Sequence, residues 1–183
     1  MSAKATSYSY FKRFVAFLVD WYVSTFIAAI PIYLFQSLKG KDLVILNQID
    51  NLPFPEAVAA TVLALIIYVL YFCVFPLRNK NKKGQTLGRR LLKLDLVKTD
   101  GSTLTFKDLF IRDFLGVLLL QGNITTVNIY IMSIVQMLTK TDIIPYYQTF
   151  YTAVLIVSLV LLFTKKKQTL HDIMSRTIMT LAE

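Results

Sequence analysis

The residues of this chain that could do chemistry are charged side chains inside long apolar runs. Asp20 interrupts the first run, and Arg13 precedes it by seven residues, which is two helical turns on the same face. If the run spans a membrane, the carboxylate costs roughly 2.5–3.5 kcal/mol unless it is paired or hydrated. The two charges would lie about 10 Å apart along the helix axis, so each needs another partner. Asp20 is either part of a buried network that fixes helix packing or a group that binds a transported ion.

Other polar residues flank the apolar runs. Asp172 follows the last run, and we expect it to pair with Arg13, because both flank apolar runs where water is scarce. Arg112 and Asp113 are expected as an interfacial ion pair. His171, the single histidine, could relay protons or serve as a structural hydrogen-bond partner. The secondary candidates for the site are Ser24, Arg112, Asp113, Gln121 and His171.

The composition places these residues in a membrane protein. The chain has 183 residues, of which 55% are hydrophobic and 17% charged. A soluble domain is typically about 25% charged, so the apolar excess must face lipid and a soluble enzyme is excluded. No nucleophile elbow, phosphate loop or metal-spaced histidine cluster is present in the sequence, and we expect no catalysis, cofactor or metal. Cys73 is the only cysteine, which excludes an internal disulfide, and its apolar surroundings predict a buried thiol.

Four apolar runs are long enough to cross a bilayer, which takes about 20 residues. They predict an all-α integral membrane protein, a four-transmembrane-helix bundle forming one domain over residues 1–183. A cleaved signal peptide is the alternative for the first run, but that run exceeds the length of a signal's apolar region. The predicted spans are 14–38, 57–77, 114–138 and 143–163.

The distribution of basic residues predicts the orientation. Of the 20 lysines and arginines, 17 lie in the N-terminal segment, the middle segment 78–113 and the tail 164–183, and three lie in the two other loops. By the positive-inside rule both termini and the middle segment are cytoplasmic, in a multi-pass protein of the cell membrane. The basic surface would face the anionic inner leaflet. Because the basic residues follow the topology, we expect no nucleic-acid partner.

The middle segment has structure of its own. Residues 85–94 place leucines at helical spacing with basic residues opposite, which indicates a short amphipathic helix, lying either on the membrane surface or on the end of the bundle. Residues 94–98 alternate as a strand, and Asp100-Gly101 indicates a tight turn, so 103–106 could return as the second strand of a β-ribbon. Thr105 has capping-box spacing with Asp108, so a helix should restart there.

The chain contains a faint internal repeat. Phe11-Lys12-Arg13 enters the first span, and Gln85-Thr86-Leu87 follows the second. Phe110-Ile111-Arg112 and Gln168-Thr169-Leu170 hold the same places around the third and fourth spans. Two spans per unit would give both units the same orientation, which is a parallel repeat.

These motifs resemble the RDD family of small membrane proteins. Phe11-Lys12-Arg13-Phe14 with Asp20 is similar to the family's first motif, an arginine at the start of the first helix and an aspartate within it. The stretch 84–92 resembles the middle motif, and Gln168-Thr169-Leu170-His171-Asp172 resembles the closing motif with the second aspartate. The resemblance covers about residues 8–180. It implies a polytopic, mostly bacterial membrane protein, for which transport has been proposed, with sodium–proton exchange associated with some members.

Two functions remain open. The first is a small secondary transporter or cation/proton exchanger with Arg13, Asp20 and Asp172 in its site. The second is a membrane scaffold or assembly factor that binds partner membrane proteins. Four spans are few for enclosing a path, so we expect a homo-oligomer or a complex with a partner membrane protein. For an exchanger, Asp20 should face the bundle interior beside a polar cavity that includes Ser24 and Gln121.

Overall fold

The computed structural model describes residues 10–38, 49–78, 84–122, 125–164 and 167–182 as a mostly helical chain with one small sheet. In chain order, its principal elements are α1 (Tyr10–Leu38), α2 (Phe54–Val69), α3 (Leu87–Leu91), β1 (Leu94–Lys98), α4 (Phe106–Leu109), α5 (Thr126–Thr139), α6 (Ile144–Leu162), α7 (Leu170–Met174) and β2 (Thr177–Leu181).

Three of the described helices are long and apolar enough to cross a membrane. They are α1 with 29 residues, the α2 helix extended to Leu77 with 24, and α6 with 19. At 1.5 Å per residue, even the shortest reaches about 28 Å, close to the thickness of the hydrocarbon core. The first, second and fourth predicted spans therefore form membrane-length helices, and the molecule is a multi-pass membrane protein.

The third predicted span, 114–138, is wrong as a single helix. Helix α4 continues as a π-helix over Phe110–Leu120, which ends at Gln121, and α5 begins afresh at Thr126. With 14 residues, α5 is a shorter apolar helix of about 21 Å.

Side-chain hydrogen bonds of Asn128 stabilise this break between the two helices. Asn128 Nδ2 donates to the Leu118 carbonyl at 2.8 Å, an oxygen at the end of the π-helix. A Cβ on Gly122 would lie 2.1 Å from the Asn128 amide, so only glycine fits beneath it. Tyr147 from α6 donates to Asn128 Oδ1 at 2.6 Å. Asn128 therefore lies at a break between two helices and not on the face of one continuous helix.

Helices α1 and α2 form the centre of the bundle. Their contact is built on small residues, with Ala28, Ala57, Ala60 and Ala64 all at most 1% exposed. Small side chains let helix backbones approach closely, which is the usual basis of helix packing in a membrane. The thiol of Cys73 is buried in the same core, as expected.

A two-stranded ribbon forms, but with a different partner from the predicted one. Strand β1 has the predicted bounds 94–98 and pairs antiparallel with β2, Leu94 opposite Leu181 and Lys98 opposite Thr177. The predicted return strand at 103–106 is wrong because Thr105 instead begins α4, with the expected capping box. An isolated ribbon is marginal in water, and this one is anchored by Leu94 and Met179, which pack on Ala16 of α1. We call the end of the bundle that carries β1 and β2 the ribbon end.

The two Gln-Thr-Leu segments are alike in local structure. In each, the threonine is the N-cap of a five-residue helix, α3 or α7, and the glutamine amide donates to the carbonyl nine residues later. In each, a residue with a left-handed backbone follows the helix and leads into a strand. The matching residues are Gln85 and Gln168, Thr86 and Thr169, and Lys93 and Arg176.

Helix α3 packs on the end of the bundle, which is one of its two predicted positions. It spans only Leu87–Leu91, and its buried face consists of Gly88 and Arg89. Leu87 and Leu91 are exposed, whereas Leu94, at the end of the predicted segment, is buried in β1 against α1. Gly88 lies against α1, where an added Cβ would be 2.2 Å from the Ala16 carbonyl oxygen and 2.9 Å from Asp20 Cγ.

We predict that Gly88→Ala lowers the free energy of unfolding by about 1–3 kcal/mol, because the new methyl group meets the α1 backbone. Thermal unfolding of the purified protein in detergent measures the effect. Leu91→Ala is the control, because that side chain is on the same helix but 70% exposed. If Gly88→Ala unfolds at the same temperature as the wild type, α1 and α3 do not approach each other as closely as described, and the prediction is wrong.

Candidate functional site

Asp172 of α7 is fully buried between two arginines. Its Oδ2 accepts from Arg13 Nη2 of α1 at 2.5 Å. Its Oδ1 accepts from Arg112 of the π-helix, from Nη2 at 3.0 Å and from Nε at 3.1 Å. The expected pairing of Arg13 with Asp172 is confirmed.

The same carboxylate caps its own helix. Asp172 Oδ2 accepts the Thr169 backbone N–H at 3.0 Å and the Thr169 hydroxyl at 2.8 Å, which completes a capping box. Burial alone would raise the pKa of Asp172, but Arg13 and Arg112 hold that pKa well below its usual range. Asp172 is therefore ionised at neutral pH, and its charge is compensated by both guanidinium groups.

Asp113 is the second buried carboxylate. Its Oδ1 accepts from Arg112 Nη1 at 2.5 Å and from Arg89 Nη2 at 3.1 Å. Tyr68 of α2 donates to the Asp113 carbonyl oxygen at 2.9 Å. The expected interfacial location of the Arg112–Asp113 pair is corrected: the two residues do pair, but they are 2% and 1% exposed and lie inside the bundle.

These contacts form one continuous ion-pair network. It joins α1, α3, the π-helix and α7 through three arginines and two aspartates, all at most 8% exposed. The removal of an aspartate takes a counter-charge from two arginines, and the removal of an arginine takes one of two arginine partners from an aspartate, so each change is destabilising and the loss of an aspartate most strongly so. The members are Arg13, Arg89, Arg112, Asp113 and Asp172.

Arg89 is the member that the sequence analysis missed, because it was counted among the basic residues that set topology. Its other guanidinium nitrogen donates to the Gly84 carbonyl at 3.0 Å. A signal for it exists in the repeat. Arg89 stands three residues after Thr86, as Asp172 stands three after Thr169. The site aspartate of the second segment thus has an arginine as its counterpart in the first.

Asp20 lies outside this network and has neutral partners. Its Oδ1 accepts from the Tyr71 hydroxyl at 2.7 Å and from the Gly88 backbone N–H at 2.8 Å, and its Oδ2 accepts from the Thr86 hydroxyl at 2.5 Å. The side chain is buried, and within the described residues it makes no ion pair. Their spacing left open a bridging group or separate partners, and the contacts described above join Arg13 and Asp20 to different groups.

His171 connects the network to the interior of the bundle. Its Nδ1 lies 2.9 Å from Gln121 Oε1 and its Nε2 2.8 Å from Thr169 Oγ1. Burial is the largest cause that lowers the pKa of His171 well below 6.5; Asp172 opposes it, and the three arginines of the network add to it. The ring is therefore neutral at pH 7. Of the two roles that the sequence left open for His171, a proton relay and a structural hydrogen-bond partner, a neutral buried ring fits the second.

A cavity of about 370 Å³ lies beside both groups of charges. Asp20, Ser24 and Gln121 all line it, as expected. The expectation of a polar cavity is wrong, because aromatic and leucine side chains of α1 and α6 supply much of its wall. Among the described residues, no group of three histidine, cysteine, aspartate or glutamate side chains is placed to hold a metal ion.

The fold and the network define a multi-pass membrane protein with a buried arginine–aspartate cluster at one end of its helical bundle. The sequence profile of the RDD family matches residues 8–176, nearly the whole chain, and the chain belongs to the RDD family. The residues that carried the resemblance, Arg13, Asp20 and Asp172, all lie at the ribbon end of this bundle. No curated protein and no solved structure matches in the corresponding comparisons.

We predict that His171 makes the protein less stable in mild acid. Its folded-state pKa lies below the unfolded value of 6.5, so its contribution is full above pH 6.5 and is lost as the pH falls. Between pH 6.5 and 5 the loss should reach about 2 kcal/mol, since each pH unit corresponds to about 1.4 kcal/mol.

Thermal unfolding of the wild type and His171→Gln at pH 7 and pH 5 measures this loss. The wild type should lose more stability than the variant, because glutamine does not titrate. Asp172 does not contribute in this window, since its lowered pKa places its effect below about pH 4. Equal losses in both proteins would contradict the prediction.

Proposed function

We propose that this protein is a small secondary transporter of the cell membrane that exchanges a cation for protons, with Asp20 as the exchanging carboxylate. The observation that carries the proposal is the setting of Asp20. It is buried at 5% exposure on the wall of a cavity, and three neutral donors surround it. A bound proton or a bound cation would each neutralise a charge that no buried cation compensates.

The two groups of charges would then have separate roles. Both oxygens of Asp172 accept from arginines, and Oδ1 of Asp113 accepts from two arginines, so a transported cation near either carboxylate would also meet a guanidinium. Asp20 can be reached from the cavity without breaking an ion pair. We therefore assign ion exchange to Asp20. The Arg13–Asp172 contact would instead stabilise the packing of α7 and the ribbon end on α1.

The topology that goes with this function places the ribbon end in the cytoplasm. The basic residues of the middle segment and tail support that orientation through the positive-inside rule. The similarity of the two Gln-Thr-Leu segments supports a duplicated unit with parallel orientation. Three membrane-length helices enclose little volume, so we expect a homo-oligomer in the membrane.

A scaffold function is the second candidate, and α6 is the observation that favours it. Of its 19 residues, only Tyr151 and Ser158 are buried, and the remainder form a long apolar surface. Such a surface could bind another membrane protein as well as lipid. In a scaffold, Asp20 would serve only to fix Thr86 and Gly88 of the α3 segment against α1.

Reconstituted flux separates the two functions. In proteoliposomes loaded with Na⁺ or K⁺, the wild type should collapse an imposed pH gradient, and Asp20→Asn should slow that collapse at least about tenfold, because the amide cannot carry a proton or a charge. Asp100→Asn, the same change on an exposed turn, is the control and should match the wild type.

A second variant distinguishes ion exchange from structural fixation. Thr86→Val removes one donor to Asp20 and loosens the same α3 contact, but it retains the carboxylate. It should keep exchange, because the carboxylate that would bind the proton or the cation is still present. Loss of flux in Thr86→Val equal to that in Asp20→Asn, or no flux in the wild type, would favour the scaffold.

A further inference from the structure

Two residues that line the cavity each carry a buried polar atom with no hydrogen-bond partner among the described residues. One is Asp113 Oδ2, whose neighbouring oxygen Oδ1 accepts from both Arg89 and Arg112. The other is Nε2 of the Gln121 side-chain amide, whose Oε1 lies 2.9 Å from His171 Nδ1. The two side chains are 1% and 8% exposed, and both line the cavity. Buried polar atoms without partners are rare and costly in native proteins, so this pair indicates a missing ligand or ordered water.

Counting protons identifies the free atom of Gln121 as an acceptor. Thr169 has one hydroxyl proton, and Asp172, an ionised acceptor 2.8 Å away, takes it. His171 Nε2 must therefore donate to Thr169 Oγ1, which leaves Nδ1 of the neutral ring as an acceptor. The amide NH₂ of Gln121 then faces Nδ1, because the oxygen and nitrogen of an amide are interchangeable by a flip. The cavity thus presents two acceptors, the Gln121 amide oxygen and Asp113 Oδ2.

The remainder of the cavity is apolar and open toward the bilayer. Phe14, Phe17 and Trp21 of α1 form one wall, and Leu155 and Leu159 of α6 form the other. Phe14 is 57% exposed and Leu159 is 47% exposed, so these walls continue onto the surface that faces lipid.

At the ribbon end, Tyr10 lines the cavity and its ring contacts that of Phe163, with centroids 5.6 Å apart. Because the walls at Phe14 and Leu159 continue onto the outer surface, a hydrocarbon chain could enter between α1 and α6, and its polar end would meet the two acceptors.

The charges around the cavity favour an uncharged polar end. Arg13, Arg89 and Arg112 balance Asp20, Asp113 and Asp172, so the six buried groups sum to zero. An anionic headgroup would meet Asp113 Oδ2, which can only accept. An ammonium group at the same place would approach Arg89 and Arg112, which both contact Asp113. A hydroxyl group donates a hydrogen bond without adding charge.

We propose that the cavity binds an uncharged amphiphile whose hydroxyl-bearing headgroup donates to Asp113 Oδ2 and to Gln121, with its hydrocarbon chain leaving between α1 and α6. Glycerol-based and sugar-based headgroups share this chemistry. The site goes beyond ion exchange at Asp20 and does not depend on it. A volume of about 370 Å³ falls at the lower end of the range for small-molecule pockets, enough for a headgroup and the first part of a chain.

Trp21 is the only tryptophan and lines the cavity, so its fluorescence reports occupancy. The full-length protein is placed in phosphatidylcholine nanodiscs, because that headgroup has no hydrogen-bond donor. Dibrominated monoacylglycerol is then compared with the dibrominated methyl ester of the same chain, which only accepts hydrogen bonds. The ester measures quenching by bulk lipid. The glyceride should reach the same quenching of Trp21 at a mole fraction at least about fivefold lower. Equal quenching by the two lipids would overturn the proposal and assign the two acceptors to ordered water.

Two variants test the acceptors separately. Gln121→Met removes the amide but leaves the ion-pair network intact, and Asp113→Asn removes the charged acceptor. Each should bring the quenching mole fraction of the glyceride to within about twofold of that of the ester, because one of the two proposed hydrogen bonds is lost. Asp100→Asn should keep the preference, and thermal unfolding establishes that each variant is folded. If Gln121→Met is folded and retains the full preference, the proposed site is wrong, whatever the flux assay shows for Asp20.

Discussion

The burial of the Asp172 carboxylate is the constraint on which the rest of the ribbon end depends. A fully desolvated carboxylate is tolerable only with close positive partners, and here Arg13 and Arg112 come from two different helices. Because α7 is only five residues long, its position is fixed largely by these contacts and by the capping box at Thr169. Strand β2 follows directly, so the same ion pairs determine where the ribbon lies on α1.

This constraint separates the charges into a rigid set and an accessible one. The ion-pair network uses every arginine of the cluster on a carboxylate, and Asp20 is left with hydroxyl and backbone donors. Glycine at position 88 allows the α3 backbone to come close enough to supply one of those donors. The cavity therefore lies beside two kinds of carboxylate. A ligand would have to replace an arginine at Asp172, but only a hydroxyl or backbone donor at Asp20.

Much of this arrangement could be predicted from the sequence, because membrane helices and buried charges leave strong local signals. The lengths of the apolar runs identified α1, α2 and α6. Asp172 was identified as the partner of Arg13 because a charge needs a counter-charge where water is scarce. Long-range pairing could not be predicted in the same way. The strand at 94–98 was recognised by its alternation, but nothing local showed that its partner lies about 80 residues later, in the tail. Likewise, apolar length in 114–138 does not distinguish a continuous helix from a broken one, and only contacts such as that of Asn128 with the Leu118 carbonyl mark the break.

A double-mutant cycle on Arg13 and Asp172 tests the central claim most directly. Unfolding free energies in mixed micelles would be compared for the wild type, Arg13→Gln, Asp172→Asn and the double variant. Asp172→Asn should cost about 3–5 kcal/mol, because it removes the carboxylate that Arg13 contacts inside the bundle. Arg13→Gln should cost less, because Asp172 keeps its contact with Arg112. The double variant should cost at least about 2 kcal/mol less than the sum of the two, since the Arg13 charge is then absent when the carboxylate is removed. Additive effects, within about 0.5 kcal/mol, would contradict the account, because the two residues would then not depend on each other.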